Sequence, residues 1–264
     1  MRILLTNDDG IDAPGLHALA RALKTCGHEV VIAAPARDYS GFGAALGALH
    51  VTGQVLFEDR KIEDLLHVEA YAVDGPPALC AFSGALGGFG GGWELLVSGI
   101  NAGQNQGRAV LFSGTVGAAL TACQFGVPAM AVSLAHRPDD VWHWETAAAC
   151  AASLAQSARD VGTVGVLNVN VPNVRPYALR GMKAARLALG GTVQAAVVEK
   201  QPGALEITFE RSELADDSDV ALLRDGYVTL SLVEVARDVH GDALDAITSK
   251  IAQAGRDGNA KLTA

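Results

Sequence analysis

Short runs of β-branched and leucine residues alternate along this chain with longer alanine-rich segments, and that alternation restricts the fold more than any other feature. The runs Ile3–Thr6, Glu29–Ala34, His67–Val73, Leu95–Ser98, Ala129–Leu134 and Val164–Val171 are nearly continuous in apolar residues, as strands covered on both faces must be. Between them the spacing predicts helices over Gly15–Cys26, Pro76–Leu86, Thr115–Phe125 and Val141–Ala158. In the first of these, Leu16, Leu19, Ala20 and Leu23 share one face, and Gly27 stands where a left-handed cap is favoured. The class is α/β, with parallel strands joined by crossover helices. Trp142, His143 and Trp144 are expected to anchor the start of the fourth helix.

A chain of 264 residues, half of them hydrophobic and 19% charged, can bury a large core without disulfide staples, which excludes disorder. Cys26, Cys80, Cys123 and Cys150 form no Cys-x-x-Cys pair and sit in apolar stretches, so they are expected as reduced thiols in a cytoplasmic protein. The run beginning at Met1 is too short for a signal peptide. Ala109–Leu134 carries no charge but is broken by Ser113, Gly114, Gln124 and Pro128, so it reads as a buried helix plus strand rather than a membrane span. The net charge of −9 disfavours a nucleic-acid polymer as partner and requires a local cation if phosphate is bound. Gly87–Gly92 reads as a flexible solvent connector. After Pro172 the alternation gives way to hairpin-like pieces, Val193–Val198, Leu205–Phe209 and Tyr227–Val235, and a polar, alanine-rich C-terminal helix candidate. A boundary near residue 175 divides a core, 1–175, from an extension, 176–264, expected to serve oligomerisation.

Four loops at strand ends or helix starts carry the chemistry. The first strand runs into Asn7-Asp8-Asp9-Gly10, beyond a strand's carboxyl end, where open α/β sheets collect ligands. A dinucleotide fingerprint is absent there. Two adjacent carboxylates repel bare phosphate but are good hard ligands for Mg²⁺, Mn²⁺ or Ca²⁺; they equally suit an Asx-turn that caps the next helix. Ser40, after the second strand, can lend an oxygen to the same ion or simply form a turn. Asn101 and Asn105 lie among Gly99, Gly103 and Gly107 after a buried strand, a pattern that suits either a turn or a ligand-facing loop. Ser113-Gly114-Thr115 opens a helix and offers a cap or an anion cradle. Taken jointly, the four loops put hard-cation ligands beside an anion cradle, a combination suited to phosphoryl chemistry.

Asn7-Asp8-Asp9-Gly10, Ala13-Pro14-Gly15, Ser40-Gly41, Ser98-Gly99-Ile100-Asn101-Ala102-Gly103 with Asn105, and Ser113-Gly114-Thr115-Val116-Gly117-Ala118-Ala119 resemble, in order and context, the SurE (survival protein E) 5′-nucleotidase family. Tyr71-Ala72-Val73-Asp74-Gly75, Leu167-Asn168-Val169-Asn170-Val171-Pro172 and Gly226-Tyr227-Val228 extend the likeness to about residue 235. The resemblance implies a Rossmann-like three-layer core with a C-terminal exchange region that builds dimers or tetramers. It implies that Asp8, Asp9, Ser40 and Asn101 ligate one divalent metal, and that Asn105, Ser113, Gly114 and Thr115 hold the phosphate. Asp8 and Asp9 are the expected catalytic pair; one of them, Asp8 first, either attacks phosphorus or activates a water. The activity expected is hydrolysis of nucleoside 5′-monophosphates, the alternative being a metal- or nucleotide-binding member without turnover. Departures collect in the substrate-facing loops: Phe42 to Gly47 have lost hydroxyls, Pro76 and Leu79 interrupt a pattern with polar residues there, and Arg108-Ala109 and Phe112 replace two acidic residues and a tyrosine. They make the expected pocket more apolar, and Arg108 either adds positive charge near the phosphate or serves the surface.

Overall fold

In chain order the strands are β1 (Arg2–Thr6), β2 (Glu29–Pro35), β3 (Phe57–Asp59), β4 (Glu69–Val73), β5 (Leu95–Ala102), β6 (Ala129–Leu134), β7 (Val166–Val171), β8 (Met182–Ala184), β9 (Gln194–Gln201), β10 (Ala204–Glu210) and β11 (Val228–Val233). The helices are α1 (Pro14–Thr25), α2 (Leu49–Thr52), α3 (Pro77–Ala85), α4 (Gly114–Gln124), α5 (Trp144–Val161) and α6 (Asp219–Arg224). This computed structural model describes residues 1–139, 141–188, 194–201, 203–210 and 215–234.

The main sheet has the order β3-β4-β2-β1-β5-β6-β7-β11-β8. From β4 through β7 every neighbour is parallel, while β3 and β11 pair antiparallel with β4 and β7. Alternate β1 side chains go to opposite faces: Ile3 and Leu5 pack with Leu16, Leu19 and Ala151 of α1 and α5, and Leu4 with Ala81, Ala118 and Ala122 of α3 and α4. That is the expected α/β core of three layers, one cluster on each face of the sheet. Leu16, Leu19 and Leu23 are fully buried, each stabilising the fold by roughly 1.5–3 kcal/mol. From β1 the chain first builds outward to β2 and β4, then returns to add β5 on the other side. The order therefore switches between β1 and β5, where such sheets open a ligand crevice.

Several expected boundaries move, each for a visible reason. The fourth helix begins at Trp144, not Val141, because Asn173 ties the preceding residues down: its Oδ1 accepts the His143 N–H (2.9 Å) and its Nδ2 donates to the Val141 carbonyl (2.8 Å). Trp142 and Trp144 stack face to face there at 4.9 Å, as anchors. The third strand run shortens to Glu69–Val73, Val164 lies outside β7, and β5 runs past Ser98 to Ala102 with a shift of register against β6 between Ser98 and Asn101. Gly99 sits in that irregularity at φ +136°, and a Cβ there would collide with the Val132 carbonyl.

Gly87–Gly92 is not a free solvent connector. Gly88–Gly90 makes one 3₁₀ turn, the Arg2 guanidinium donates to the Gly90 and Gly91 carbonyls (3.1 and 2.5 Å), and Phe89 packs on Tyr71 at 5.1 Å. Ala109–Leu134 resolves into a 3₁₀ turn, α4 and β6, and no described helix is long and apolar enough to cross a membrane. The four cysteines are free thiols, Cys26 exposed and the others buried.

Beyond residue 175, β9 and β10 form a separate antiparallel hairpin, whereas β8 and β11 join the main sheet and α6 packs against β11. Val193, Val235 and the alanine-rich C-terminal helix candidate lie outside the described residues.

Candidate active site

Asn7 Nδ2 braces the loop after β1 by donating to the Gly10 carbonyl (2.9 Å), and two main-chain bonds stitch that loop to the one after β2: the Ile11 N–H donates to the Pro35 carbonyl and the Tyr39 N–H to the Asp8 carbonyl, both at 2.8 Å. The last bond brings Ser40 alongside Asp8 and Asp9. Asp38 holds Ser40 in turn, its Oδ1 accepting from both the Ser40 N–H and Oγ at 2.7 Å. From the other side of the crevice, the Ala102 N–H at the end of β5 donates to Asp9 Oδ2 (3.3 Å), and Asn101 Nδ2 donates to the Gly103 carbonyl (2.6 Å).

These residues face one open cleft of about 350 Å³, lined by Asp8, Asp9, Ser40, Asn101, Asn105 and Ser113 among others. Gly114 and Thr115 stand behind Asp8. The Thr115 hydroxyl is fully buried and donates to Asp8 Oδ1 at 2.6 Å. A Cβ on Gly114 would lie 2.8 Å from Asp8 Cβ and Oδ2, so only glycine lets the carboxylate reach the start of α4. Ser113 caps the helix, its Oγ accepting the Val116 N–H at 3.1 Å. The turn read as an anion cradle thus also holds the Asp8 carboxyl, through the Thr115 hydroxyl and the space that Gly114 leaves.

Burial raises the Asp8 carboxyl above its ordinary value of 3.8, against the lowering effect of the Thr115 hydroxyl and nearby backbone N–H groups. Burial and the neighbouring Asp8 charge push Asp9 up to about 6. Two carboxylates that resist ionisation side by side are stabilised together by a bound cation. Among the described residues no group of three or more His, Cys, Asp or Glu is placed to hold a metal, so a cation in this cleft would draw on two carboxylates and on neutral oxygens such as those of Ser40 and Asn101. That all-oxygen set fits a hard divalent ion.

Four supporting residues, Asn168, Asn170, Ser133 and Asp219, had no role read from the sequence. Asn168 and Asn170, alternate residues of β7, both donate through Nδ2 to the Asn105 carbonyl (3.0 and 2.9 Å). Asn170 Oδ1 accepts the Asn105 N–H (2.7 Å), and Ser133 Oγ accepts from Asn105 Nδ2 (2.9 Å). The available signal was two asparagines two apart in an apolar strand, hence on one buried face. Asp219, fully buried at the start of α6, accepts the N–H groups of Gly107 (2.8 Å), Ala188 (3.0 Å) and Val220 (2.9 Å), and its carbonyl accepts Gln106 Nε2 (2.8 Å). Nothing local in the sequence announced that contact, which spans more than a hundred residues. Arg108 is exposed and does not line the cleft.

With that geometry in place, the comparison with known families is decisive: the model described as "Survival protein SurE" matches residues 3–193. The chain belongs to the SurE family. A SurE relative from Edwardsiella ictaluri, named 5′/3′-nucleotidase SurE, is 33% identical over 248 residues, covering 91% of this chain and 92% of its own. The 5′-nucleotidase SurE of Xanthomonas campestris is 33% identical over 242 residues, 89% of this chain and 90% of its own. Among solved structures, the SurE protein of Aquifex aeolicus superposes with a TM-score of 0.78 at 27% identity, covering 96% of this chain and all of that one.

Proposed function

We propose that this SurE chain is a divalent-metal-dependent phosphomonoesterase that hydrolyses nucleoside 5′-monophosphates to nucleoside and inorganic phosphate. The single observation that carries the reading is the pair Asp8 and Asp9, kept from ordinary ionisation in a cleft they share with Ser40, Asn101, Asn105 and Ser113. The nucleotidase names of the relatives support the same substrate class.

One divalent ion, Mg²⁺, Mn²⁺ or Ca²⁺, is held by Asp8, Asp9, Ser40 and Asn101 in this reading, and it supplies Lewis acidity toward a phosphoryl oxygen together with charge to offset that developing on the phosphate. Thr115 fixes the Asp8 carboxyl through Oδ1, and Ala102 fixes Asp9 through Oδ2, so neither has to reorganise when phosphate arrives. Asn105 and Ser113 face the cleft as phosphate-binding groups, the first immobilised by Ser133 of β6 and by Asn168 and Asn170 of β7, the second by the helix it caps. Asp8 acts on phosphorus or on the attacking water, with Asp9 beside it.

The proposal extends to a cytoplasmic protein that takes small nucleotides rather than nucleic-acid polymers or membranes, and that forms a homodimer or homotetramer through residues 176–264. Its direct test is Asp8→Asn, with phosphate release from a panel of nucleoside monophosphates followed in Mn²⁺ or Mg²⁺. Turnover is expected to vanish while circular dichroism shows an intact fold; undiminished turnover refutes the assignment.

A further inference from the structure

We infer that a second cavity, on the far side of the Tyr39–Phe42 turn, is the nucleoside subsite of this reaction and favours guanine. The inference rests on the hydrolase reading above. Ser40 and Gly41 line the cleft that contains Asp8 and Asp9, while Tyr39 and Phe42, the residues on either side of them, line this cavity. A substrate with its phosphate in the cleft has only that one turn to cross.

The cavity measures about 290 Å³, near the lower end of the ~300–1,000 Å³ of small-molecule sites. Leu46, Leu49, Pro76 and Leu79 complete its apolar walls. The Tyr39 and Phe42 rings meet edge to face at 5.1 Å, and Arg37 donates to the Tyr39 hydroxyl at 3.1 Å, so the aromatic wall is set in advance. Two large apolar side chains of its lining are left to water, Phe42 at 54% and Leu56 at 63% exposure. Phe42, Pro76 and Leu79 are also among the positions where the sequence departs from the family pattern toward apolar residues, and these three share one cavity.

Walls of this kind suit the faces of a base, which stack on aromatic and aliphatic side chains alike. Asp74 is the one charged residue among the lining residues. A carboxylate only accepts hydrogen bonds, so it prefers the base whose edge carries neighbouring donors. Guanine presents N1–H and the 2-amino group side by side; hypoxanthine has lost the amino group, and uracil sets carbonyl oxygens beside its lone N–H.

The test compares kcat/KM for GMP, IMP and ribose 5-phosphate, which has no base, in the wild type, Leu46→Trp and Asp74→Asn with Mn²⁺. Leu46→Trp, which fills the cavity, is expected to lower the GMP to ribose 5-phosphate ratio at least about tenfold, and Asp74→Asn to lower the GMP to IMP ratio about tenfold. A folding defect depresses both members of each ratio and cannot imitate either result. A GMP to ribose 5-phosphate ratio within about twofold of wild type in Leu46→Trp overturns the subsite. An unchanged GMP to IMP ratio in Asp74→Asn overturns the guanine preference. Absence of turnover on every phosphate ester counts against the hydrolase reading instead, and calorimetry with guanosine then reads the subsite alone: binding to wild type that is lost in Leu46→Trp supports it, and no binding to wild type overturns it.

Discussion

Replacing Asp9 by asparagine is expected to stabilise the metal-free protein, the opposite of what most substitutions at buried polar positions do. The structure sets the size of the effect. The Asp9 carboxyl sits at about 6 instead of 3.8 because it is largely buried beside Asp8, and at ~1.4 kcal/mol per tenfold change in proton affinity the difference is about 3 kcal/mol. Water reaching the open side of the cleft reduces that to about 1–3 kcal/mol. The folded carboxyl binds its proton more tightly than the unfolded one, so stability falls as the pH rises from about 4 to 6 and stays lowered above that window. Asp9→Asn removes the burden and also the repulsion that Asp9 imposes on Asp8. For a chain of this length the gain is a rise in melting temperature of about 3–10 °C near neutral pH in chelator. Differential scanning calorimetry at pH 7.5 and 4.5, with chelator and with excess Mn²⁺, reads it directly. The advantage should shrink to about a third at pH 4.5, and Mn²⁺ should raise the wild type far more than the mutant. A mutant no more stable than wild type in chelator at pH 7.5, or equally advantaged at both pH values, refutes the reasoning.

Thr115→Val removes the hydroxyl that donates to Asp8 Oδ1, a bond to a charged acceptor worth about 1.5–3 kcal/mol; kcat/KM should fall accordingly, and the acidic limb of its pH profile should move to higher pH as Asp8 loses a contact that favours its ionised form. Gly114→Ala places a methyl 2.8 Å from the Asp8 carboxyl; kcat is expected to drop about 100-fold, while the melting temperature, followed in parallel, changes far less. Asp219→Ala leaves the N–H groups of Gly107, Ala188 and Val220 without their acceptor, and urea unfolding should show a loss of about 2–4 kcal/mol.

Much of the proposed site was legible because the residues read as its ligands lie close to strand ends. Asp8 and Asp9 follow β1, Ser40 follows β2 and Asn101 lies at the end of β5, and parallel strands bring such positions to one edge whatever lies between them. The sequence reads Thr115 as a phosphate-binding residue and gives no sign that its hydroxyl also donates to Asp8. The reason is steric: the missing side chain of Gly114 admits the carboxylate, and a free N–H and a satisfied one look alike in sequence. The Gly87–Gly92 tract was misread for a similar reason, since nothing in a glycine run shows that Arg2, on β1, will bind its carbonyls.

Local pattern determined the α/β class, the strands of the parallel core and the loops that carry chemistry, because apolar periodicity and turn residues act over a few neighbours at a time. Tertiary structure alone decided which of those groups meet. The clamp of Asn168, Asn170 and Ser133 on Asn105 and the reach of Asp219 back to Gly107 join residues distant in sequence. Such contacts form only after the sheet has closed, because burial makes an unpaired polar group costly enough to select its partner.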